Sequence, residues 1–211
     1  MIINKYGLEL RSLLEADLDM IRTWRNKQRV REHMQFQDVV STEDQIRWFS
    51  ALNPNQNVYW VFSINGVGIG LVHIKDIQNG EFGEAGIFTG LDDYLGTPVP
   101  ALAILTMMDV AFDVLGLKTL KAKVQTNNNR NIWTNLKFGY QPDISSNESE
   151  FAYYSVERPQ FLKATKGLRS VLVKLYGDQT EIIVSENETG FLKQSVERLK
   201  AKPTSERVLF S

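Results

Sequence analysis

The sequence has no cysteine among its 211 residues, which excludes disulfides, thiolate zinc sites, iron–sulfur clusters and a cysteine nucleophile. Histidine is almost as scarce, with only His33 and His73. A metal centre of several imidazoles is therefore excluded, no metal site is expected, and a Ser-His-Asp triad would have to use one of the two. Neither charge is in excess: 24 Lys and Arg stand against 25 Asp and Glu, for a net charge of -1. That argues against a generally basic nucleic-acid binder. No run of about 18 apolar residues occurs, and the start MIINKYGLEL has neither a basic leader nor a long apolar stretch, so the expectation is a cytoplasmic protein with no membrane partner. What is present is ordinary globular material, 43% hydrophobic and 23% charged. The length suits one domain with an appendage, or two small ones.

Periodicity places the elements. Tyr6 to Arg11 alternates as a strand does, and Leu18, Ile21 and Trp24 fall at helical spacing. A second helix is expected after Thr42, as cap, with Gln45 reaching back, and running to Leu52. Val58–Ile64 and Val67–Ile74 flank the hairpin turn Asn65-Gly66, and a third strand, Glu84–Thr89, follows Asn79-Gly80. A long helix begins near Pro98 and passes Leu102, Leu105, Met108 and Phe112, a core stripe, to Gly116. Strand Thr119–Thr126, helix Asn129–Phe138 and a closing strand Phe151–Val156 complete the unit. Beyond Pro159 the balance shifts: residues 160–211 carry +3 and the preceding 159 carry -4. The expected division is a domain over 1–159 and a small folded extension over 160–211. In the extension, Leu168–Tyr176 and Thr180–Ser185 flank Gly177-Asp178 as a hairpin, and Phe191–Ala201 forms a helix with Leu192, Val196 and Leu199 on its apolar side. A unit that small must dock on its own domain or on a second copy, and a homodimer is expected. Asn147-Glu-Ser149 fits a glycosylation acceptor, which has no meaning without secretion.

Two segments carry a family likeness. Leu18-Asp-Met-Ile-Arg-Thr-Trp-Arg-Asn26 resembles the first-helix signature of the GNAT superfamily of N-acetyltransferases, in the branch that holds ribosomal-protein alanine and amino-sugar acetyltransferases. Asn128, Ile132, Leu136 and Phe138-Gly139-Tyr140 resemble that superfamily's Asn-x-x-Ala-Ile-x-x-Tyr-x-x-x-Gly-Phe segment, and Glu84-Ala-Gly-Ile87 its central strand. The resemblance spans roughly residues 7 to 157. It implies an α+β fold, a mixed and mainly antiparallel sheet flanked by helices, carrying the C-terminal hairpin and helix as an extension. It also implies an acetyl-coenzyme A-dependent transfer to a primary amine, on a nucleotide-linked amino sugar or a protein N-terminus, with no covalent enzyme intermediate.

The resemblance distributes roles that the chemistry supports. A strand leading to a helix N-terminus offers backbone amides to a pyrophosphate, which assigns Ile87, Phe88, Thr89, Gly96, Thr97, Val99 and Ala101 to the cofactor, with Asn128 as a further hydrogen bond. An amide near Ile87 and Phe88 would stabilise the thioester oxyanion. Glu84 and His73 are the candidate bases. Arg25, within the basic stretch Arg22 to Arg31, and Asn26 are the candidate acceptor contacts.

Two positions depart from the pattern. Leu95-Gly-Thr-Pro-Val-Pro100 has prolines where the family's phosphate loop has glycines, which removes two amide donors. Asn135 stands at the frequent Tyr position and has no titratable proton to give a leaving thiolate, which leaves Tyr153 or Tyr154 for that task. These departures motivate the competing reading, a non-catalytic acetyltransferase-like scaffold.

Overall fold

The computed structural model describes residues 1–78, 80–143, 150–185, 188–200 and 207–210, with no side chains for 199, 200 and 207–210. Asn79, the Asn147-Glu-Ser149 pattern, Ala201 and the Leu199 side chain lie outside the described residues. Strand β1 (Ile2–Lys5) turns at Tyr6-Gly7 into β2 (Leu8–Ser12). The strand expected to start at Tyr6 therefore begins two residues later. Tyr6 and Gly7 have φ of 54° and 72°, and a left-handed pair of that kind makes a hairpin turn. Then come α1 (Leu18–Arg25), the single turn α2 (Gln28–Arg31) and α3 (Thr42–Ser50). Ser41, and not Thr42, caps α3, its hydroxyl accepting from Asp44 N at 3.0 Å.

The meander β3 (Val58–Ile64), β4 (Val67–Gln78) and β5 (Phe82–Thr89) leads into α4 (Val99–Asp109), which continues as a π-helical turn through Val110–Val114. After β6 (Thr119–Gln125), α5 (Asn129–Lys137) and the two-residue β7 (Gln141–Pro142) comes β8 (Phe151–Glu157). All described strands join one sheet. Counting forward to β9 (Glu181–Val184) and β10 (Arg207–Phe210), its order is β10-β9-β1-β2-β3-β4-β5-β6-β8-β7. Only β5/β6 and β9/β10 run parallel. On one face, Ile21 and Trp24 of α1 pack on Val61 and Leu71. The opposite face holds the main core, where Leu105, Met108 and Phe112 are buried against Trp60, Phe62, Ile74 and Leu120.

The C-terminal region corrects one expectation. Residues 158–176 form one long helix, α6 (Arg158–Tyr176), and not the first arm of a hairpin. The alternation of Val171, Val173 and Leu175 suggests a strand, yet these side chains are 54%, 40% and 69% exposed. Burial follows the helical set Phe161, Thr165 and Leu172 instead. Gln160 reaches back to Glu157 N at 2.9 Å to cap the helix, and Pro159 sits in its first turn, where its missing amide is harmless.

Strand β9 pairs antiparallel with β1, and α7 (Gly190–Lys200) buries Phe191, Leu192 and Val196 in the same core. A buried ionic knot clamps α6: Asp109 accepts from Lys5 Nζ at 2.6 Å and from both terminal nitrogens of Arg169, while Arg169 Nε donates to Thr165 at 2.9 Å. Among the described residues, no helix is long and apolar enough to cross a membrane.

Candidate active site

The sheet opens at one point. Strands β5 and β6 pair only through Phe82↔Thr119, Gly83↔Leu120 and Glu84↔Lys121. Beyond them β5 stays on β4 as far as Thr89↔Gly70, and β6 stays on β8 as far as Gln125↔Phe151. The two strands therefore diverge, leaving a wedge walled by residues 85–89 and 122–125. Gly90 N donates to Ile69 O at 2.7 Å. Alternation along the antiparallel pair then turns the amides of Phe88 and Gly86 towards β4, and those of Ile87 and Thr89 into the wedge. Of the three strand residues expected to meet a cofactor, Phe88 thus offers no amide. Its side chain packs with the α1 cluster instead.

The N-terminus of α4 closes the wedge. Gly96, at φ 81° with open space beside it, leads into the first turn. Thr97 spends both its amide and its hydroxyl on Tyr94 O, at 3.3 and 2.8 Å, and Val99 N has only a long contact of 3.4 Å to Thr97 Oγ1. Leu102 N is bonded to Pro98 O, and Pro98 and Pro100 have no amide to give. The amides of Gly96 and Ala101 thus remain for an anion, with Val99 as a third. Across the wedge, Asn128 caps α5, its Oδ1 accepting from Asn131 N at 3.1 Å. Its amide nitrogen makes no hydrogen bond among the described residues.

The other wall is the segment from α1 to α2. Trp24 lies so close over Gly90 that a Cβ there would come within 2.1 Å of the indole. Arg29 donates to Thr89 O at 2.9 Å and Gly90 O at 3.0 Å, and Lys27 donates to Gly90 O at 2.9 Å. Both also face Asp92, and the hydrogen bond from Arg29 is the chief reason that its carboxyl lies below the usual range. At the far side His33 Nδ1 stands 3.4 Å from Gln125 Oε1, so the segment bridges the mouth from β5 to β6. Asn26 is fully used as a brace: it donates to Val40 O at 2.9 Å and accepts from Val40 N at 2.8 Å. Arg25 donates to Phe36 O. Its remaining Nη1, with Nε of Arg22 and Nε of Arg31, is buried without a partner. Burial, and then the nearby Arg31, lowers the Arg25 pKa.

Beneath this segment lie the two candidate bases. His73 pairs in register with Tyr59 and Gly86, its ring 5.1 Å from that of Tyr59, on which Trp48 stands edge-on at 5.1 Å. A Cβ on Gly86 would come within 2.4 Å of the imidazole, so the glycine makes room for it. The ring's Nδ1 is sealed and unpartnered, and burial, helped by Lys75, pushes its pKa down to about 3. His73 is therefore a neutral imidazole. Glu84 lies on the same face at the apex of the wedge, 3.0 Å from Lys75 Nζ and opposite Lys121, whose ammonium sits 4.0 Å over the Phe82 ring. Tyr153 shares this face with Lys123, whereas Tyr154 is buried in the main core.

The structure thus gathers Glu84, Ile87, Thr89, Gly96, Val99, Ala101 and Asn128 around one wedge, while the described hydrogen bond of Arg25 goes to Phe36 O and not to the wedge strands. Sequence reading missed the fastening of Arg29 and Lys27 to the end of β5, and the stacking of Trp24 on Gly90. The only signal for either was the density of cations after Trp24. Two depressions, of about 560 Å³ beside Phe191 and Arg198 and about 440 Å³ beside Tyr6 and Tyr176, lie away from the wedge.

Comparison with known proteins agrees with this fold. The acetyltransferase (GNAT) domain model matches residues 7–141. No curated protein sequence matches significantly. Among solved structures, spermidine N-acetyltransferase from Vibrio cholerae, in complex with CoA and spermine, superposes with a TM-score of 0.65 at 18% identity, over 74% of this chain and 98% of its own. An aminoglycoside acetyltransferase bound to coenzyme A gives 0.63 at 17% identity, over 77% and 99%. The Campylobacter jejuni N-acetyltransferase PseH with acetyl coenzyme A gives 0.55 at 17% identity, over 72% and 99%. These likenesses concern the fold, and the domain match, which spans well over half of the sequence, settles the kinship: the chain belongs to the GNAT acetyltransferase family.

Proposed function

We propose that the protein is an N-acetyltransferase that uses acetyl-coenzyme A as cosubstrate and acetylates a primary amine directly, the amine of a nucleotide-linked amino sugar being favoured over a protein N-terminus. The observation that carries the reading is the wedge between β5 and β6, with the Ile87 amide turned into it and the first turn of α4 at its end. A pantetheine chain, which carries amides, fits an unpaired strand edge as an added strand does. The Gly96, Val99 and Ala101 amides suit its pyrophosphate. Bound acetyl-coenzyme A supplies the activated acyl group and a thiol leaving group.

The chain's own groups do the rest. Glu84 accepts the proton that the attacking ammonium must lose, and Lys75 at 3.0 Å keeps the carboxylate oriented. Ile87 N–H donates to the carbonyl oxygen as it gains negative charge. Arg25 holds the acceptor, and Asn26 shapes its loop. The base is assigned to Glu84 and not to His73, because the imidazole is packed under Tyr59 with its Nδ1 sealed, whereas the Glu84 carboxylate stands partly exposed at the apex of the wedge. Tyr153, on the open face, is the group assigned to protonate the thiolate. Incubation with acetyl-coenzyme A and a panel of amines should release thiol with at least one of them. No release above background with any amine would sink the catalytic reading.

The second reading, a non-catalytic scaffold on the same fold, is favoured by Pro98, Pro100 and Asn135. It predicts no calorimetric binding of coenzyme A.

A further inference from the structure

The end of β5 is fastened from outside the sheet. Gly90 N donates to Ile69 O at 2.7 Å, so Gly90 faces β4, and Thr89, the last residue of β5, turns both its N–H and its C=O into the wedge. That carbonyl is already occupied: Arg29 Nη1 donates to Thr89 O at 2.9 Å. Arg29 Nη2 donates to Gly90 O at 3.0 Å, and its Nε donates to Asp92 Oδ1 at 2.5 Å. All three guanidinium nitrogens thus have an acceptor. A guanidinium so engaged acts on the backbone that it holds, and not on a reacting atom.

The fastening shapes the wedge in two ways. An extended amide chain laid along β5 pairs with the N–H and C=O of Ile87 and then with those of Thr89, as an added strand does. With Thr89 O taken by Arg29, that pairing ends at the Thr89 amide. The second effect runs through Asp92, which opens the short turn Asp92–Tyr94; Tyr94 O accepts from Thr97 N, and Gly96 lies between the two. Arg29 therefore ties the strand end to the segment that leads into α4, and the amides of Ile87 and Thr89 are held in one relation to those of Gly96 and Ala101. Lys27 does less, since it reaches Gly90 O at 2.9 Å and Asp92 at 3.5 Å but not Thr89. Without Arg29, Thr89 O becomes an unpaired acceptor on an open strand edge that has lost its charge-assisted hydrogen bonds.

Resting on the acetyltransferase reading, we propose that Arg29 is a positioning residue for the cosubstrate: by occupying Thr89 O it braces the end of β5 against the turn before α4 and ends the strand-like run of the coenzyme arm at Thr89, where the arm turns towards Gly96 and Ala101. Arg29 thereby sets how well the coenzyme is held, while the chemistry at Glu84 and Ile87 proceeds without it.

The test compares Arg29→Gln, Arg29→Lys, Lys27→Met and Asp92→Asn with the native full chain. Without any ligand, hydrogen exchange at the Gly90 amide should speed at least about tenfold in Arg29→Gln, as the loss of charge-assisted hydrogen bonds implies, while the Gly86 amide on the same strand keeps its native rate. Calorimetry should give a Kd for coenzyme A about tenfold higher in Arg29→Gln, partly recovered in Arg29→Lys, and within about threefold of native in Lys27→Met and Asp92→Asn, which leave the bond to Thr89 O in place. In turnover, Arg29→Gln should raise KM for acetyl-coenzyme A about tenfold with kcat within about twofold of native, a split that general loosening of the fold would not produce. An unchanged Kd in Arg29→Gln, a kcat that falls while KM holds, or Lys27→Met matching Arg29→Gln each overturns the proposal. Coenzyme A failing to bind the native chain would sink the acetyltransferase reading, whereas native Gly90 exchange in Arg29→Gln overturns the brace whatever the coenzyme does.

Discussion

Asp109 is a residue whose loss the structure makes expensive. Its side chain is 4% exposed and those of its partners Lys5 and Arg169 are 10% and 19% exposed, so all three charges are largely dry. Asp109→Asn keeps the shape, removes the only carboxylate of the knot and leaves two cations facing each other. Removing one member of a buried ionic pair typically costs about 3–5 kcal/mol. For a chain of this size each kcal/mol moves Tm by about 2–4 °C, so the transition should fall by roughly 6–20 °C. Thermal unfolding followed by circular dichroism and by tryptophan fluorescence reads the shift directly. Replacing all three residues together, Lys5→Met, Asp109→Leu and Arg169→Met, should recover most of the loss, because the cost lies in stranded charge and not in missing contacts. A loss below about 1 kcal/mol in Asp109→Asn would refute the reasoning, since that is the behaviour of a solvated surface pair.

Three further outcomes follow from the same structure. Glu84→Gln should lower kcat by about two orders of magnitude with KM for acetyl-coenzyme A little changed; an unchanged kcat would remove Glu84 from proton transfer. Pro98→Gly with Pro100→Gly adds two amides at the head of α4 and should hold or raise affinity for coenzyme A while lowering Tm, and a large loss of affinity would show that the prolines shape the site. His73, neutral in the fold, has a native pKa near 3 against about 6.5 when unfolded, so the unfolded chain takes up the extra proton as pH falls. Its stabilising share is complete above the unfolded pKa and is lost on acidification towards the folded one. Between pH 7 and pH 5 this amounts to about 2 kcal/mol, visible as a steeper acid loss in the native protein than in His73→Asn.

The sequence makes the fold legible wherever one periodicity dominates. Asn65-Gly66 defines its hairpin unaided, Leu105, Met108 and Phe112 face the core as a helical stripe should, and Trp24 is buried. Legibility fails where two periods overlap. Within 168–176 the set Val171, Val173 and Leu175 alternates while Leu168 and Leu172 repeat at helical spacing, and the knot at Asp109 decides for the helix through contacts remote in sequence. The candidate site divides in the same way. Glu84 and the unusual prolines can be found from their strand and helix start. The wedge itself is a tertiary fact, produced by β5 and β6 parting after three paired residues, and no local pattern encodes it. The two-way bond between Asn26 and Val40 and the fastening of Arg29 to Thr89 join segments 14 and 60 residues apart, so their side chains read only as a polar cap and a solvated cation until the chain is folded.

The central claim is that the wedge between β5 and β6 receives coenzyme A. Its most direct test is titration of the isotopically labelled protein with coenzyme A, with the backbone amides followed by nuclear magnetic resonance. The account predicts saturable binding, near micromolar and so about -8 kcal/mol, with the Ile87, Thr89, Gly96 and Ala101 amides shifting together and Ile87 gaining protection from exchange. Unmoved amides at Ile87 and Ala101 in the presence of millimolar coenzyme A would contradict it.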